Sequence, residues 1–159
     1  MANTHPLKPT NIFQRLFCVT ISPLPSDPGS FAVDGDRLTI RLDRARELEP
    51  VGGALRIEDP LLPDRVLVVH GEDDQFRAFR NRCACGGFRI DPVPGQEKIR
   101  CCTPMQSTYD YAGSPLSRTV NRSLDVLPCS RAGTTLTVDV GLLREPAPHL
   151  RKEASRPHP

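Results

Sequence analysis

Proline is the residue that most limits how this chain can fold, because it accounts for 17 of the 159 residues. A proline inside a helix costs about 3 kcal/mol and removes a backbone donor, so a bundle of long helices is disfavoured. Only 5% of the residues are aromatic, and none is tryptophan. A chain of this length is expected to form one hydrophobic core. The composition therefore favours a single, loop-rich, all-β domain.

Alternation of apolar and polar residues predicts two hairpins, one on each side of an irregular segment. The first hairpin occupies residues 65–80, with its turn at 71–74. The second occupies residues 123–140, with its turn at 130–133. Between them, residues 83–123 show little alternation and are dense in Cys, Gly and Pro, which is typical of loops. We therefore expect an irregular insert between two β-hairpins.

The two ends of the chain lack the strand pattern of the middle. Residues 11–18 carry apolar side chains at helical spacing, and Asn11 with Gln14 forms a capping-box pattern. This pattern predicts a short docked helix, followed by a proline-rich connector up to residue 35. Residues 145–159 have four prolines and almost no apolar residue, so we predict a disordered tail there.

The charge balance excludes some partners. The 21 basic and 19 acidic residues leave a net charge of +2, which is too small to predict a nucleic-acid or anionic-membrane surface. No apolar run approaches the roughly 20 residues that span a bilayer, and the first residues lack a signal-peptide pattern. We therefore predict a cytoplasmic protein. In that compartment, six cysteines are expected to be metal ligands or core thiols rather than disulfides.

Four of the six cysteines lie in the irregular insert as two close pairs: Cys83, Cys85, Cys101 and Cys102. Two pairs on separate loops are typical of a metal or cluster site, because each short spacing sets a local geometry and the fold brings the loops together. Gly86 and Gly87 follow the first pair, and their backbone N–H groups are expected to turn towards sulfur.

These motifs, in their order along the chain, resemble the Rieske [2Fe–2S] domain family. The resemblance covers roughly residues 36–141. It rests on the first hairpin, Cys83-Ala-Cys85-Gly-Gly, Ile99-Arg-Cys-Cys102 and Ser107-Thr-Tyr-Asp110. It implies a small antiparallel β-sandwich or barrel at residues 36–144. A cluster-binding subdomain of two loops, about residues 81–118, would be inserted between its strands.

The ligand set departs from that of the family, in which each loop supplies one Cys and one His. The resemblance places Cys83 and Cys102 at the Cys positions, and Cys85 and Met105 at the His positions. Cys101 and water are alternative fourth ligands. The chain's four histidines lie in the tails or at the end of a strand: His5, His70, His149 and His158. The resemblance also implies a hydrogen bond from Tyr109 to a ligand sulfur, whereas Cys18 and Cys129 are expected to be structural.

Three hypotheses remain for these residues. In the first, a [2Fe–2S] cluster is retained, and six basic residues against two acidic ones between positions 77 and 102 could offset its extra thiolate charge. A solvated strand face is the simpler explanation of those basic residues. In the second, the cluster is lost and the fold serves as an interaction module. In the third, the four insert cysteines bind structural Zn²⁺, although neighbours in an extended segment, such as Cys101 and Cys102, point to opposite faces.

The sequence favours the cluster, because three of the four ligand positions hold cysteine. The chain would then be a one-electron carrier that serves a redox protein partner, and no nucleophile–base pair indicates catalysis. Thiolate in place of imidazole should lower the reduction potential towards that of Cys-ligated ferredoxins. It should also remove the pH dependence that titrating imidazoles give.

Overall fold

The computed structural model describes residues 5–151 of the chain. Within that range it contains one α-helix and eleven strands, joined by loops and short 3₁₀ turns. The helix and strands are α1 Ile12–Leu16, β1 Phe31–Asp34, β2 Arg37–Arg41, β3 Ala54–Ile57, β4 Val66–His70, β5 Phe76–Arg80, β6 Ile90–Pro92, β7 Lys98–Cys101, β8 Thr108–Asp110, β9 Val126–Leu127, β10 Cys129–Ala132 and β11 Thr135–Asp139. The prediction of an all-β domain with one short helix is confirmed.

The strands form three antiparallel sheets. The outer sheet has the order β1-β2-β11-β10, and the central sheet has the order β3-β4-β5-β9. The insert sheet, β6-β7-β8, is formed by the segment between β5 and β9. The segment expected to be irregular therefore carries a small sheet of its own, whose strands are only three or four residues long.

Strand β4 shows why the central sheet lies between two cores. All five of its residues are buried. Val66 and Val68 face the first core, which the outer sheet covers, and Leu67 and Val69 face the second core, which the insert sheet covers. A continuous apolar run is what a strand buried on both faces requires. Each such side chain contributes about 1.5–3 kcal/mol on burial.

The first predicted hairpin is confirmed, and the second is partly wrong. Strands β4 and β5 pair from Val66 with Arg80 to His70 with Phe76. In the second hairpin β10 pairs with β11, and the turn lies at Gly133, whose φ of +60° suits glycine. Strand β9 pairs with β5 instead of β11. Pro128, which follows β9, has no N–H to continue a ladder, and the chain crosses there to the outer sheet.

Helix α1 starts as predicted but does not dock through its side chains. Asn11 and Gln14 form the expected capping box. None of the helix residues is buried, and the apolar side chains of Phe13 and Leu16 are exposed. The expectation of a docked helix is therefore wrong. Among residues 5–151, no helix is long and apolar enough to cross a bilayer.

The outer boundaries of the domain also differ from the expected ones. Strand β1 belongs to the outer sheet, so the domain begins within the segment treated as a connector. At the other end, Ala147 and Pro148 are buried, and the carbonyl oxygen of Glu145 accepts a hydrogen bond from Arg80. Residues 145–151 thus pack on the domain rather than forming a free tail. The remainder of the predicted tail, residues 152–159, lies outside the described residues.

Candidate metal centre

The first loop follows β5 directly and folds back on itself. The Cys83 N–H donates to the carbonyl oxygen of Phe88 at 2.6 Å, and the Gly87 N–H donates to the carbonyl oxygen of Cys83 at 2.8 Å. The Cys85 N–H donates to the Cys83 Sγ at 3.2 Å. Cys83 is fully buried, whereas Cys85 is exposed. The loop therefore presents one protected sulfur and one accessible sulfur.

Gly87 is required at its position for two reasons. Its φ of +76° favours glycine, and a Cβ there would lie 2.5 Å from Cε1 of the His149 ring. The prediction that this N–H turns towards sulfur is wrong, because it donates to the carbonyl oxygen of Cys83. His149 lies against the first loop, although the sequence placed it in a tail. Burial lowers the pKa of His149, and the charge of Arg82 lowers it further.

The second loop joins β7 to β8 and is tied to the first. The Cys102 N–H donates to the carbonyl oxygen of Arg89 at 3.0 Å, and the Cys101 N–H donates to the carbonyl oxygen of Ser107 at 2.9 Å. Gln106 closes the turn with a φ of +49°. Met105, predicted by resemblance as the fourth ligand, lies at the loop tip and is 67% exposed.

Five of the six cysteines come together in two groups. The ligand atoms of Cys83, Cys85 and Cys101 all lie within 4.8 Å of one another, and no histidine of the described residues belongs to this group. Within it, the Sγ atoms of Cys83 and Cys85 are in direct contact, and the Sγ of Cys85 is 3.8 Å from that of Cys101. The second group is Cys102 with Cys18, whose Sγ atoms are also in direct contact.

The neighbouring cysteines of the second loop thus face different partners. Cys101 continues the inward face of β7 with Ile99 and belongs to the second core. Cys102 faces the N-terminal segment. This arrangement agrees with the argument that adjacent residues of an extended segment point apart, and it does not favour one tetrahedral zinc ion on all four insert cysteines. Cys129, the sixth cysteine, lies apart and contacts the carbonyl oxygen of Phe76.

Tyr109 provides a polar contact to the buried sulfur. Its hydroxyl oxygen accepts from the Ala84 N–H at 3.2 Å and lies 3.3 Å from the Cys83 Sγ. Burial raises the pKa of Tyr109 to about 12, so the phenol keeps its proton at neutral pH. Since the N–H already donates to the oxygen, the phenol proton is available to the sulfur. The tyrosine–sulfur contact expected from the resemblance is present.

An N-terminal arm, residues 17–23, crosses the insert and brings Cys18 to the site. Asp91 in β6 fixes it by accepting from the N–H groups of Ile21 and Ser22, each at 3.1 Å, and from the Ser22 hydroxyl at 2.7 Å. On its other side, Arg56 of β3 donates to the carbonyl oxygen of Ser22 at 2.9 Å. Sequence reasoning did not assign Cys18 to the site, because 65 residues separate it from Cys83 and no local motif connects them.

Carboxylates from outside the insert neutralise four of the five arginines between residues 77 and 102. The pairs, with their shortest N–O distances, are Arg77 with Asp73 at 2.6 Å, Arg80 with Asp125 at 3.0 Å, Arg82 with Asp64 at 2.7 Å, and Arg89 with Glu58 at 2.7 Å. Hydrogen bonds from Arg89 lower the pKa of Glu58 to about 2. These arginines therefore stabilise the fold around the loops instead of forming one positive surface.

Three antiparallel sheets, with two cysteine-bearing loops in the insert, define the class together with the similar structures described next: the chain has the Rieske fold. The resemblance read from the sequence is thereby confirmed at the level of architecture.

Two solved structures are similar in shape over most of their own length. One is a chain of the complex of reduced oxygenase and oxidized ferredoxin in carbazole 1,9a-dioxygenase, with a TM-score of 0.54 and 18% identity, covering 67% of this chain and 94% of that one. The other is the ferredoxin of carbazole 1,9a-dioxygenase from Nocardioides aromaticivorans IC177, with a TM-score of 0.50 and 20% identity, covering 64% and 93%.

A larger protein is also similar in part. The quaternary ammonium Rieske monooxygenase CntA matches 60% of this chain at 20% identity with a TM-score of 0.48, and the match spans only 30% of the CntA chain. No protein-family model matches the sequence. No curated protein matches it either.

Proposed function

We propose that this protein binds a [2Fe–2S] cluster through cysteine thiolates and transfers one electron at a time between redox proteins. The observation that carries the proposal is the gathering of five cysteines at the two loops where a Rieske fold holds its cluster. The thiolates at the family's ligand positions are Cys83, Cys85 and Cys102. Met105 and Cys101 are the fourth ligands that the sequence suggests.

The donor set suits iron–sulfur chemistry. Soft thiolates select Fe–S clusters, zinc and Cu(I), whereas carboxylates suit magnesium, calcium and manganese. The Cys83 sulfur accepts from a backbone N–H and contacts the Tyr109 hydroxyl, and both contacts favour an ionised sulfur over a neutral thiol. Close sulfur pairs are also compatible with disulfides in an oxidised, cluster-free protein, so metal analysis is the deciding measurement.

A bound [2Fe–2S] cluster would supply reversible one-electron storage, and the surrounding residues have separate tasks. Cys83 and Tyr109 lie in the second core, where water is excluded. Cys85 is exposed on the outer side of the first loop, which gives a partner protein access to one ligand sulfur.

The ligand set also determines the expected potential. Each thiolate that replaces a neutral imidazole adds negative charge, which disfavours the reduced state. We expect a potential well below that of a two-histidine Rieske centre. We also expect no dependence on pH between about 6 and 9, because no ligand imidazole titrates. Potentiometry of the purified protein at several pH values measures both properties.

The decisive test is anaerobic purification followed by iron, sulfide and zinc analysis and a visible spectrum. Equal amounts of iron and sulfide in a brown protein support the proposal. A colourless, metal-free protein contradicts it and favours the cluster-free interaction module, and one zinc per chain favours a structural zinc site. The redox partner and the cytoplasmic location stay predictions, and co-purification under reducing conditions together with cell fractionation would test them.

A further inference from the structure

We propose that Cys18, on the N-terminal arm, supplies the fourth thiolate of the centre and pairs with Cys102. This inference rests on the proposed function and replaces Met105 at the fourth position. A [2Fe–2S] cluster takes two protein ligands on each iron. The structure offers two sulfur pairs in direct contact, Cys83 with Cys85 and Cys18 with Cys102.

The first argument is the position of the sulfurs. The Cα atoms of Cys18 and Cys102 are only 4.7 Å apart, although 84 residues separate them in sequence. The two pairs lie on neighbouring loops: the backbone of Cys102 donates to the carbonyl oxygen of Arg89, just after the first loop, and Cys101 beside it has its sulfur 3.8 Å from that of Cys85. Met105 is two-thirds exposed at the loop tip. A thioether in that position is also a weaker ligand for iron than a thiolate.

The second argument is that the arm holds Cys18 in an unfavourable conformation. Cys18 follows the last turn of α1 with a φ of +51°, a conformation that costs about 1–2 kcal/mol for a residue with a Cβ. Its N–H donates to the carbonyl oxygen of Arg15 at 3.1 Å, and Val19 donates to that of Gln14 at 2.9 Å. Glycine would occupy this position without strain, whereas the cysteine found here brings a sulfur to Cys102.

The third argument is that the arm is fixed on both sides of Cys18. Three residues further on, Ile21 packs against the second core and donates its N–H to the buried carboxylate of Asp91. Before Cys18, Leu7 is buried in the same core. Helix α1 buries none of its own residues, so these two anchors hold it over the insert. They limit the freedom of Cys18 and keep its sulfur at Cys102.

The surroundings of this pair suit thiolates. Arg15 of α1 and Arg100 of β7 line one small cavity together with Cys101 and Cys102. The two cations therefore lie close to each other. Positive charge beside a cysteine favours its ionised form. The buried carboxylate of Asp91 faces the same cavity and offsets part of that charge.

The test compares Cys18→Ser with Met105→Leu, Cys101→Ala and the control Cys129→Ser in the full-length chain. Each protein is purified anaerobically and analysed for iron, sulfide, visible absorption and the EPR spectrum of the reduced form. We expect Cys18→Ser to lose most of its iron and sulfide, or to keep them with shifted absorption and EPR features. Cys129→Ser should match the wild type, because Cys129 lies apart from the site.

A second measurement does not depend on how the variants fold. Wild-type protein is treated anaerobically with iodoacetamide under reducing conditions, with or without removal of iron by a chelator, and labelling of Cys18 is measured by mass spectrometry. We expect Cys18 to be protected in the iron-loaded protein and labelled after chelation.

The outcomes separate the two proposals. A brown wild type with an unaltered Cys18→Ser protein, or with Cys18 labelled before chelation, overturns the role of Cys18 and leaves the proposed function standing. If only Met105→Leu or only Cys101→Ala loses iron, the role of Cys18 is likewise overturned and the fourth ligand is the residue that was changed. A wild type without iron and sulfide overturns both proposals.

Discussion

Replacement of Asp91 by alanine should release the N-terminal arm from the insert. The Asp91 carboxylate accepts three hydrogen bonds, two from backbone N–H groups and one from the Ser22 hydroxyl. Each hydrogen bond to an ionised group stabilises by about 1.5–3 kcal/mol. Burial raises the pKa of Asp91 although its hydrogen bonds lower it, so desolvation of the carboxylate offsets much of this gain. We therefore expect a net loss of about 2–4 kcal/mol instead of the full sum.

Amide hydrogen exchange distinguishes release of the arm from general unfolding. A loss of 2–4 kcal/mol confined to the arm lowers the protection of the Ile21 and Ser22 amides roughly 30- to 700-fold, since 1.4 kcal/mol is a factor of ten. Protection of β4 should stay unchanged. The control is Asp36→Ala, which removes an exposed ion pair with Arg144 and should leave the arm amides as they are. Unchanged protection of Ile21 and Ser22 in Asp91→Ala would refute the reasoning.

Three further changes test other parts of the structure. Arg80 is fully buried and paired with acidic residues. Arg80→Met leaves those carboxylates unpaired and should lower the free energy of unfolding, measured by urea denaturation, by about 3–5 kcal/mol. A loss under about 1 kcal/mol would contradict this expectation. Tyr109→Phe removes the hydroxyl contact to Cys83. Hydrogen bonds to a ligand sulfur favour the reduced state, so the variant should have a reduction potential lower by about 40 mV, which is equivalent to about 1 kcal/mol. Potentiometry measures this difference. Glu58 has a folded pKa of about 2, below its ordinary value of 4.5. The contribution of its ion pair with Arg89 to the free energy of unfolding is therefore complete above about pH 4.5 and is lost as the pH falls towards 2. Glu58→Gln should therefore reduce stability at pH 7 by roughly 1 kcal/mol, and the difference from wild type should disappear near pH 2.

The parts of the fold that could be predicted are those that local patterns determine. The apolar run of β4 and the polar turn after it define the first hairpin, because a strand buried on both faces requires that composition. The positions of Cys83 and Cys102 follow from motif order, since each loop lies directly beside a strand. The capping box of Asn11 and Gln14 is likewise a contact three residues apart.

The parts that could not be predicted depend on contacts between distant segments. The apolar spacing of α1 predicts a docked face, but the helix is held by Leu7 and by the arm beyond it rather than by its own side chains. Nothing in the sequence around Asp91 distinguishes it from other acidic residues, because its partners Ile21 and Ser22 are about 70 positions away. For the same reason, Cys18 resembles an isolated thiol in the sequence, and only the tertiary structure brings it to Cys102.

The distribution of charge links the arm to the redox chemistry. A [2Fe–2S] cluster with four thiolates carries a formal charge of about −2 when oxidised, and reduction adds one more negative charge. Four of the five arginines between residues 77 and 102 are neutralised by carboxylates. Within residues 5–151, the side-chain hydrogen bonds of the fifth, Arg100, and of Arg15 go to the neutral Gln106 and Thr10. One of these two cations lies on the arm's own helix. If Cys18 is a ligand as proposed, the arm would contribute a sulfur and the adjoining helix α1 a compensating charge, so release of the arm should weaken retention of the cluster and lower its potential together.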